Sequence, residues 1–327
     1  MTVFYAFNGD ADGLCALQQL RLVDPRGATL VTGVKRDTQL LRRVHAAAGD
    51  EVIVLDVALE QNRDELLRLL AAGASVRYFD HHHAGTVPEH PGFEAHIEEK
   101  PDVCTSTLVD AHLGGRHRAW AIVAAFGDNL RKVGHAMVRA AGIDATTAAT
   151  MEHLGICLNY NAYGSTLADL CFDPAELALE MLPFVDPLDF VRRSRAYAQL
   201  AERYADDMQK ARTLAPMRQV RGATLVVLPD EAWARRAIGV LANDLTHAQP
   251  DSAIAILVPK AQGGFTVSVR VPARSRVAAD EFCRGFATGG GRKLAAGINH
   301  LPEEDVDRFA ESFEARFRTA PPPATLL

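Results

Sequence analysis

The first eighty residues alternate short apolar runs with longer amphipathic segments, and that alternation restricts the fold more than any other feature of the chain. Val3–Phe7, Thr29–Val34, Glu51–Leu55 and Ser75–Phe79 read as strands. Between them Leu14–Val23, Gln39–Ala48 and Glu60–Ala72 read as helices, the last stopping at Gly73. Cys104–His112 and Ala119–Phe126 continue the helical pattern. Buried strands separated by helices predict an α/β fold, a doubly wound and mostly parallel sheet with right-handed crossovers. Ligands of such sheets bind beyond the carboxyl ends of the strands. Acidic residues collect at those ends: Asp10 and Asp12 in Phe-Asn-Gly-Asp-Ala-Asp-Gly, Asp56 closing Val-Ile-Val-Leu-Asp, and Asp80 ahead of three histidines. Asp128, in Phe-Gly-Asp-Asn, follows an apolar helical run.

A length of 327 residues suggests two domains. The segment from Phe190 to Arg212 is helical and charged, and reads as a connection. Beyond Pro216 a second α/β pattern begins, with strands at Thr224–Leu228, Ala253–Val258 and Gly264–Val271 and helices at Ala234–Leu245 and Glu304–Phe317. The expected layout is a first domain over 1–189, a helical linker over 190–215, a smaller α/β domain over 216–318 and a disordered tail over 319–327. Hydrophobic content of 48% with 23% charged residues is that of a globular protein. No run reaches the roughly 18 apolar residues of a membrane span, and the first residues carry no basic leader pattern. Five cysteines, scattered and without CxxC spacing, fit a reducing compartment, so a cytoplasmic protein is expected. The net charge of −6 hides an asymmetry, because Gln209–His300 holds 13 Lys and Arg against 6 Asp and Glu. An acidic part suited to cations stands beside a basic part suited to anions.

Asp10-Ala11-Asp12-Gly13 puts two carboxylates in one tight turn, although aspartate and glycine also build plain turns. Asp56 has the alternative of capping the helix that follows it, and Asp128 that of ending its helix. Asp80-His81-His82-His83 is the specific signal. A single turn can aim His81 inward as a ligand and leave His82 facing a phosphate, while Asp80 orients an imidazole from behind. Further along, Gly289-Gly290-Gly291-Arg292-Lys293 predicts backbone N–H groups exposed at a helix start, with two cations next to them, as an anion cradle. Alternation along Phe265–Val271 puts Thr266, Ser268 and Arg270 on one strand face, and Arg270 becomes a candidate phosphate or base contact. Asn159–Gly164 reads as an ordinary polar loop, with base stacking as the alternative. His45, His96, His112 and His153 have no partners at ligand spacing in the sequence.

Asp10-x-Asp12-Gly13, Asp56, Asp80-His81-His82 and Asp128, followed by Gly289-Gly290-Gly291 and Ala295-Ala296-Gly297, resemble the DHH phosphoesterase family. The resemblance runs over about residues 1 to 318 and is closest to members with a DHH-associated second domain, the nanoRNase-like and RecJ-related ones. It implies a metal-dependent phosphodiesterase with a cleft between its domains, two manganese or magnesium ions, and short linear oligonucleotides such as 5′-phosphorylated dinucleotides cut to mononucleotides. Asp56 would bridge the ions, Asp10 serve one, and Asp12, His81 and Asp128 the other. His82, backed by Asp80, would contact the scissile phosphate, while Ser268, Arg270, Gly289, Gly290, Gly291 and Arg292 would bind the far end of the substrate. The partner implied is a short single-stranded oligonucleotide or nucleotide, with no membrane, and a homodimer is compatible. A nucleotide bisphosphatase or exopolyphosphatase, and a nucleotide sensor without turnover, are the alternatives. Two positions depart from the pattern: Ala6 stands where many members carry a histidine, leaving Asn8 to help the first ion, and Arg292 replaces the histidine after the three glycines. Arginine cannot exchange protons near neutrality but can clamp a phosphate with two hydrogen bonds.

Overall fold

A computed structural model of the chain describes residues Met1–Thr319 and divides into two compact units, Met1–Tyr204 and a second beginning at Ala205. Of the tail expected over 319–327, Thr319 donates its N–H to Arg221 O at 2.9 Å; the remainder lies outside the described residues.

The first unit is built on β1 (Val3–Phe7), β2 (Thr29–Val31), β3 (Glu51–Leu55), β4 (Ser75–Asp80) and β5 (Phe93–Ile97). All are parallel, in the order β2-β1-β3-β4-β5. The direction of winding therefore reverses between β1 and β3, the place beyond whose carboxyl ends such sheets bind ligands. Alternating side chains feed two cores. Ala6, Val52, Val54 and Tyr78 pack with Leu66, Leu69 and Leu70 of α2 (Leu59–Ala71). On the opposite face lie α1 (Ala11–Val23), α3 (Thr105–His112) and α4 (Arg118–Gly127), with α5 (Arg131–Ala140) and α6 (Ala145–Ala162) outside them. Each fully buried leucine of α2 contributes roughly 1.5–3 kcal/mol, enough to fix the register of its apolar stripe on the sheet. Gly127 and Gly155 let α1, α4 and α6 approach closely: a Cβ on Gly127 would fall 2.3 Å from Ala11 Cβ, and one on Gly155 2.2 Å from Val123 O.

The sequence pattern errs where side chains replace backbone pairing. The helix expected over Gln39–Ala48 is only a short 3-10 turn, Leu40–Arg43. Arg68 of α2 donates to Leu41 O and Val44 O at 3.2 and 2.9 Å, and Asn62 accepts the Leu41 N–H, so these groups need no helix. The strand expected to reach Val34 stops at Val31, and β5, whose Glu94 is exposed, escapes an apolar-run criterion.

After α7 (Pro174–Met181), the single connecting helix expected from Phe190 is two: α8 (Pro187–Arg193) and α9 (Arg195–Arg212), separated by an extended Ser194. In the second unit β6 (Arg218–Val220), β7 (Ala223–Val227), β8 (Ala253–Pro259), β9 (Phe265–Arg270), β10 (Gly289–Gly291) and β11 (Ala295–Leu301) form a mixed sheet ordered β10-β11-β9-β8-β7-β6. Only β7 and β8 are parallel, joined by the crossover helix α10 (Ala232–Ala248). Val267, Val269 and Leu257 face α11 (Ala279–Cys283) and α12 (Val306–Phe317) through an aromatic core of Phe282, Phe309, Phe313 and Phe317.

The glycine run is a strand, correcting the helix start expected for it. Gly289, Gly290 and Gly291 pair antiparallel with Ile298, Gly297 and Ala296, and Arg292 and Ala295 close the hairpin by exchanging backbone hydrogen bonds. Close backbone approach demands glycine here. A Cβ on Gly289 would lie 1.7 Å from Cys283 O, and one on Gly291, whose φ is 141°, 2.5 Å from Ala296 Cα.

Candidate metal centre

Register alone brings the strand-end residues of the first unit together. Phe7, Leu55 and Phe79 are aligned across β1, β3 and β4, so Asp56 and Asp80 leave adjacent strands side by side, and Asp10 lies just beyond β1. Asp56 turns the chain sharply, with φ 58°, while its N–H donates to Phe79 O at 3.0 Å. Left-handed backbone at a non-glycine residue costs energy and recurs at functional sites. Asp56 does not cap α2, whose N-cap is Ala58; its carboxylate points instead to Thr105 Oγ1 at 3.3 Å and His81 Nε2 at 3.3 Å.

His81 is held from behind. Its Nδ1 stands 2.7 Å from Val103 O, which can only accept, so Nδ1 carries the proton and Nε2 faces the carboxylates. Asp56 Oδ1, Asp12 Oδ2 and Asp128 Oδ2 lie 3.3, 3.9 and 4.0 Å from that nitrogen. Ligands about 2.1 Å from one ion are spaced roughly 3 to 4 Å apart; Asp56, His81 and His82 bring ligand atoms within 4.8 Å of one another, and Asp12 and Asp128 border that group through His81. The donor set, one imidazole with three carboxylates, suits manganese or magnesium. Asp12 is fixed by the N-terminus of α3, accepting from Thr105 N and Ser106 N at 2.7 Å each. Asp128 is also the C-cap of α4, followed by left-handed Asn129, so helix ending and carboxylate placement coincide in one residue.

The second histidine faces outward. His82 Nδ1 bonds Asp80 Oδ1 at 2.7 Å, and Asp80 is wholly buried. His82 Nε2 is thereby left for an anion at the rim, since about a third of the His82 side chain is exposed. His83 points away to Glu99 at 3.0 Å. Electrostatics follow from this packing. Burial, reinforced by Asp10 and Asp12, pushes the Asp56 carboxyl up to about 8. Burial opposes charge on His81, but its bond to Asp56 and the nearby Asp128 and Asp12 carboxylates outweigh it and raise it to about 10. Asp12 is raised chiefly by burial. Burial works against both members of the Asp80–His82 pair, yet their mutual bond lowers Asp80 and raises His82. His81 and Asp56 together hold a proton at neutral pH that a dication has to displace.

Asp10 adjoins this set through Asp56, to which its carboxyl is hydrogen-bonded. It caps α1, accepting from Asp12 N and Gly13 N at 3.0 and 3.1 Å, and its other oxygen accepts from the Lys35 ammonium. Lys35, just beyond β2, is a site residue that the strand-end rule could have found, because it occupies the same end of the sheet as the aspartates. Asn159, which bonds Lys35 Nζ at 3.2 Å, falls in a segment that reads as a loop; it lies in the last turns of α6, and Asn161 beside it bonds Cys171 N and Phe172 O. Asn8 Oδ1 is buried and has no hydrogen-bond partner.

In the second unit Ser268, Arg270, Gly290 and Arg292 fall on one sheet face, whereas Gly289 and Gly291 face the other, where Gly289 backs onto Cys283. Arg270 donates to Asn243 of α10 and to Ser268 Oγ, each at 3.0 Å. Ser268 is in register with Gly297, and Gly297 with Gly290, so small residues continue that face outward to the hairpin where Arg292 is exposed. The structure also corrects the isolation expected of two histidines. Glu94, His96 and His112 bring ligand atoms within 4.8 Å of one another, because α3 ends beside β5.

A two-unit α/β protein with a carboxylate and imidazole centre at a sheet switch point is the class these features define. Residues 221–319 match the family described as the DHHA1 domain. Among solved structures, exonuclease RecJ bound to manganese superposes with TM-score 0.60 at 20% identity, covering 96% of this chain and 89% of that one. RecJ from Thermus thermophilus in complex with Mn2+ gives TM-score 0.62 at 20% identity over 96% of this chain, which spans 51% of it. The pGpG-specific phosphodiesterase PggH of Vibrio cholerae gives 0.57 at 15% identity, covering 97% of this chain and 100% of that one. No curated protein matches the sequence. Residues 221–319 of the second unit thus belong to the DHHA1 domain family, and the chain as a whole shares the fold of these structures. Among the described residues no helix is long and apolar enough to cross a membrane.

Proposed function

We propose that the protein is a metal-dependent phosphoesterase of nucleic acids, and more narrowly a phosphodiesterase that cuts short linear oligonucleotides to mononucleotides. The observation that carries this is the convergence of Asp12, Asp56 and Asp128 on His81 Nε2, within 3.3–4.0 Å. A divalent ion held there supplies Lewis-acid stabilisation of charge on phosphorus and acidifies water for attack. Val103 O fixes the His81 tautomer so that Nε2 can serve as a ligand. His82, whose bond to Asp80 raises its affinity for a proton against the effect of burial, is suited to bond a non-bridging phosphate oxygen. Arg270, positioned by Asn243 and Ser268, together with exposed Arg292, offers cations for a terminal phosphate or a base edge.

The choice of a short substrate is supported by the fold shared with the pGpG-specific phosphodiesterase over 97% of this chain and 100% of that one. The test is a panel of 5′-phosphorylated dinucleotides, longer single-stranded RNA and DNA, cyclic dinucleotides, nucleotide bisphosphates and polyphosphate, each with manganese. Mononucleotide release should be fastest from the dinucleotides. Turnover confined to bisphosphates or polyphosphate would move the assignment to a phosphatase. Tight nucleotide binding with no turnover of any member would make the protein a sensor.

A further inference from the structure

The acidic centre contains two kinds of carboxylate. Asp12, Asp56 and Asp128 surround the Nε2 of His81, whereas Asp10, although hydrogen-bonded to Asp56, is otherwise occupied by groups of the chain that do not reach His81. One Asp10 oxygen takes two backbone N–H groups and the other takes the Lys35 ammonium. Lys35 is anchored twice more: its N–H donates to Ala162 O at 2.9 Å, and its ammonium reaches Asn159 Oδ1 at 3.2 Å. The same ammonium lies 5.5 Å from the centre of the Tyr163 ring, a cation–π distance.

We propose that Lys35 is a built-in cation of the centre, its ammonium standing at Asp10 in place of a second divalent ion, so that the protein takes one ion, on Asp12, Asp56, His81 and Asp128. This rests on the metal-centre reading above. The donor chemistry supports it. Ala6, the residue of β1 that precedes this corner, is fully buried and offers no ligand atom. An ion bound at Asp10 would have to displace a charge-assisted bond in which the carboxylate is nearly sealed from water. It would also stand beside a fixed positive charge, which repels a dication more strongly the less water lies between them. A tethered monocation keeps Asp10 ionised and leaves a positive charge in the centre that a chelator does not remove.

The experiment counts ions. Chain stripped with a chelator and reloaded with excess manganese should retain one Mn2+ per chain by elemental analysis and give the six-line electron paramagnetic resonance spectrum of an isolated ion. Lys35→Met, with its thermal melt as a folding control, should rise to two ions with an exchange-coupled spectrum, while Lys35→Arg should stay at one. Two coupled ions in the unmutated protein would overturn the Lys35 role and leave the metal centre standing. A count that stays at one in folded Lys35→Met would also overturn it. No retained manganese in the unmutated protein would overturn the metal centre itself. If Lys35→Met does not fold, the count and spectrum of the unmutated protein still decide.

Discussion

In the first unit the polar groups stand at strand ends, buried, and drawn from positions as distant as Asp12 and Asp128; in the second, Ser268 and Arg270 stand on one strand face and are held by near neighbours. The difference lies in what each arrangement does to charge. At the strand ends, burial and crowded carboxylates shift Asp56 up to about 8 and His81 up to about 10, a setting that a cation relieves. On the sheet face, Arg270 keeps contact with solvent and is steered by neutral partners, a setting for reversible anion binding. On the proposed function the first region would carry the chemistry and the second the recognition, and substitutions should separate them.

The largest effect is expected from Asp56→Ala, which removes the carboxylate nearest His81 Nε2. Dinucleotide turnover should fall at least ~10³-fold together with manganese retention, measured by steady-state kinetics and elemental analysis. Full turnover in this variant would break the strand-end half of the comparison. His82→Ala should lower kcat about 10²–10³-fold with metal retention intact if its imidazole meets phosphate as proposed, whereas a loss of retained manganese would make it a ligand beside Asp56 and His81. Asp80→Asn should lose roughly 10–100-fold by releasing the His82 ring. Arg270→Ala is predicted to raise KM roughly 10–100-fold with kcat little changed, as a lost charge-assisted bond would. An equal loss in kcat alone would place Arg270 in the chemistry instead.

The smallest effect is a pH dependence with a definite sign. Asp56 and His81 both have folded-state values above their unfolded ones. Each therefore contributes stability that is complete below its unfolded value and is lost as pH rises through its folded value, about 8 and about 10. The melting temperature of chelator-treated protein should decline from pH 6 to pH 9 through these groups, while the increment given by manganese grows over the same range. Manganese binding near pH 7 should release protons, seen as a heat that changes with the ionisation enthalpy of the buffer. A binding heat independent of buffer would mean that neither group holds a proton in the metal-free protein.

Much of the first unit is legible in the sequence because its strands are buried on both faces and so read as continuous apolar runs. β1 and β3 have the bounds that their apolar residues predict, and the acidic residues after them fall where a parallel sheet opens. The hairpin of Gly289–Gly291 is not legible, since glycines have no pattern, and their pairing depends on backbone approach to Cys283 and Ala296. Lys35 is missed for another reason. Its place after β2 puts it at the right end of the sheet, but a lone lysine there does not announce its role, which depends on Asp10, Ala162 and Asn159 arriving beside it.

Local sequence determined the alternation of strands and helices, the strand-end position of Asp10, Asp56 and Asp80, and the inward and outward faces of β9, because side-chain periodicity is a property of a few consecutive residues. Tertiary structure decided which groups share one charge environment. Val103 selects the His81 tautomer, the N-terminus of α3 holds Asp12, Asp80 aims His82, and Lys35 closes on Asp10. Electrostatic coupling acts through space at a few ångströms, and only the folded sheet brings residues tens of positions apart within that distance.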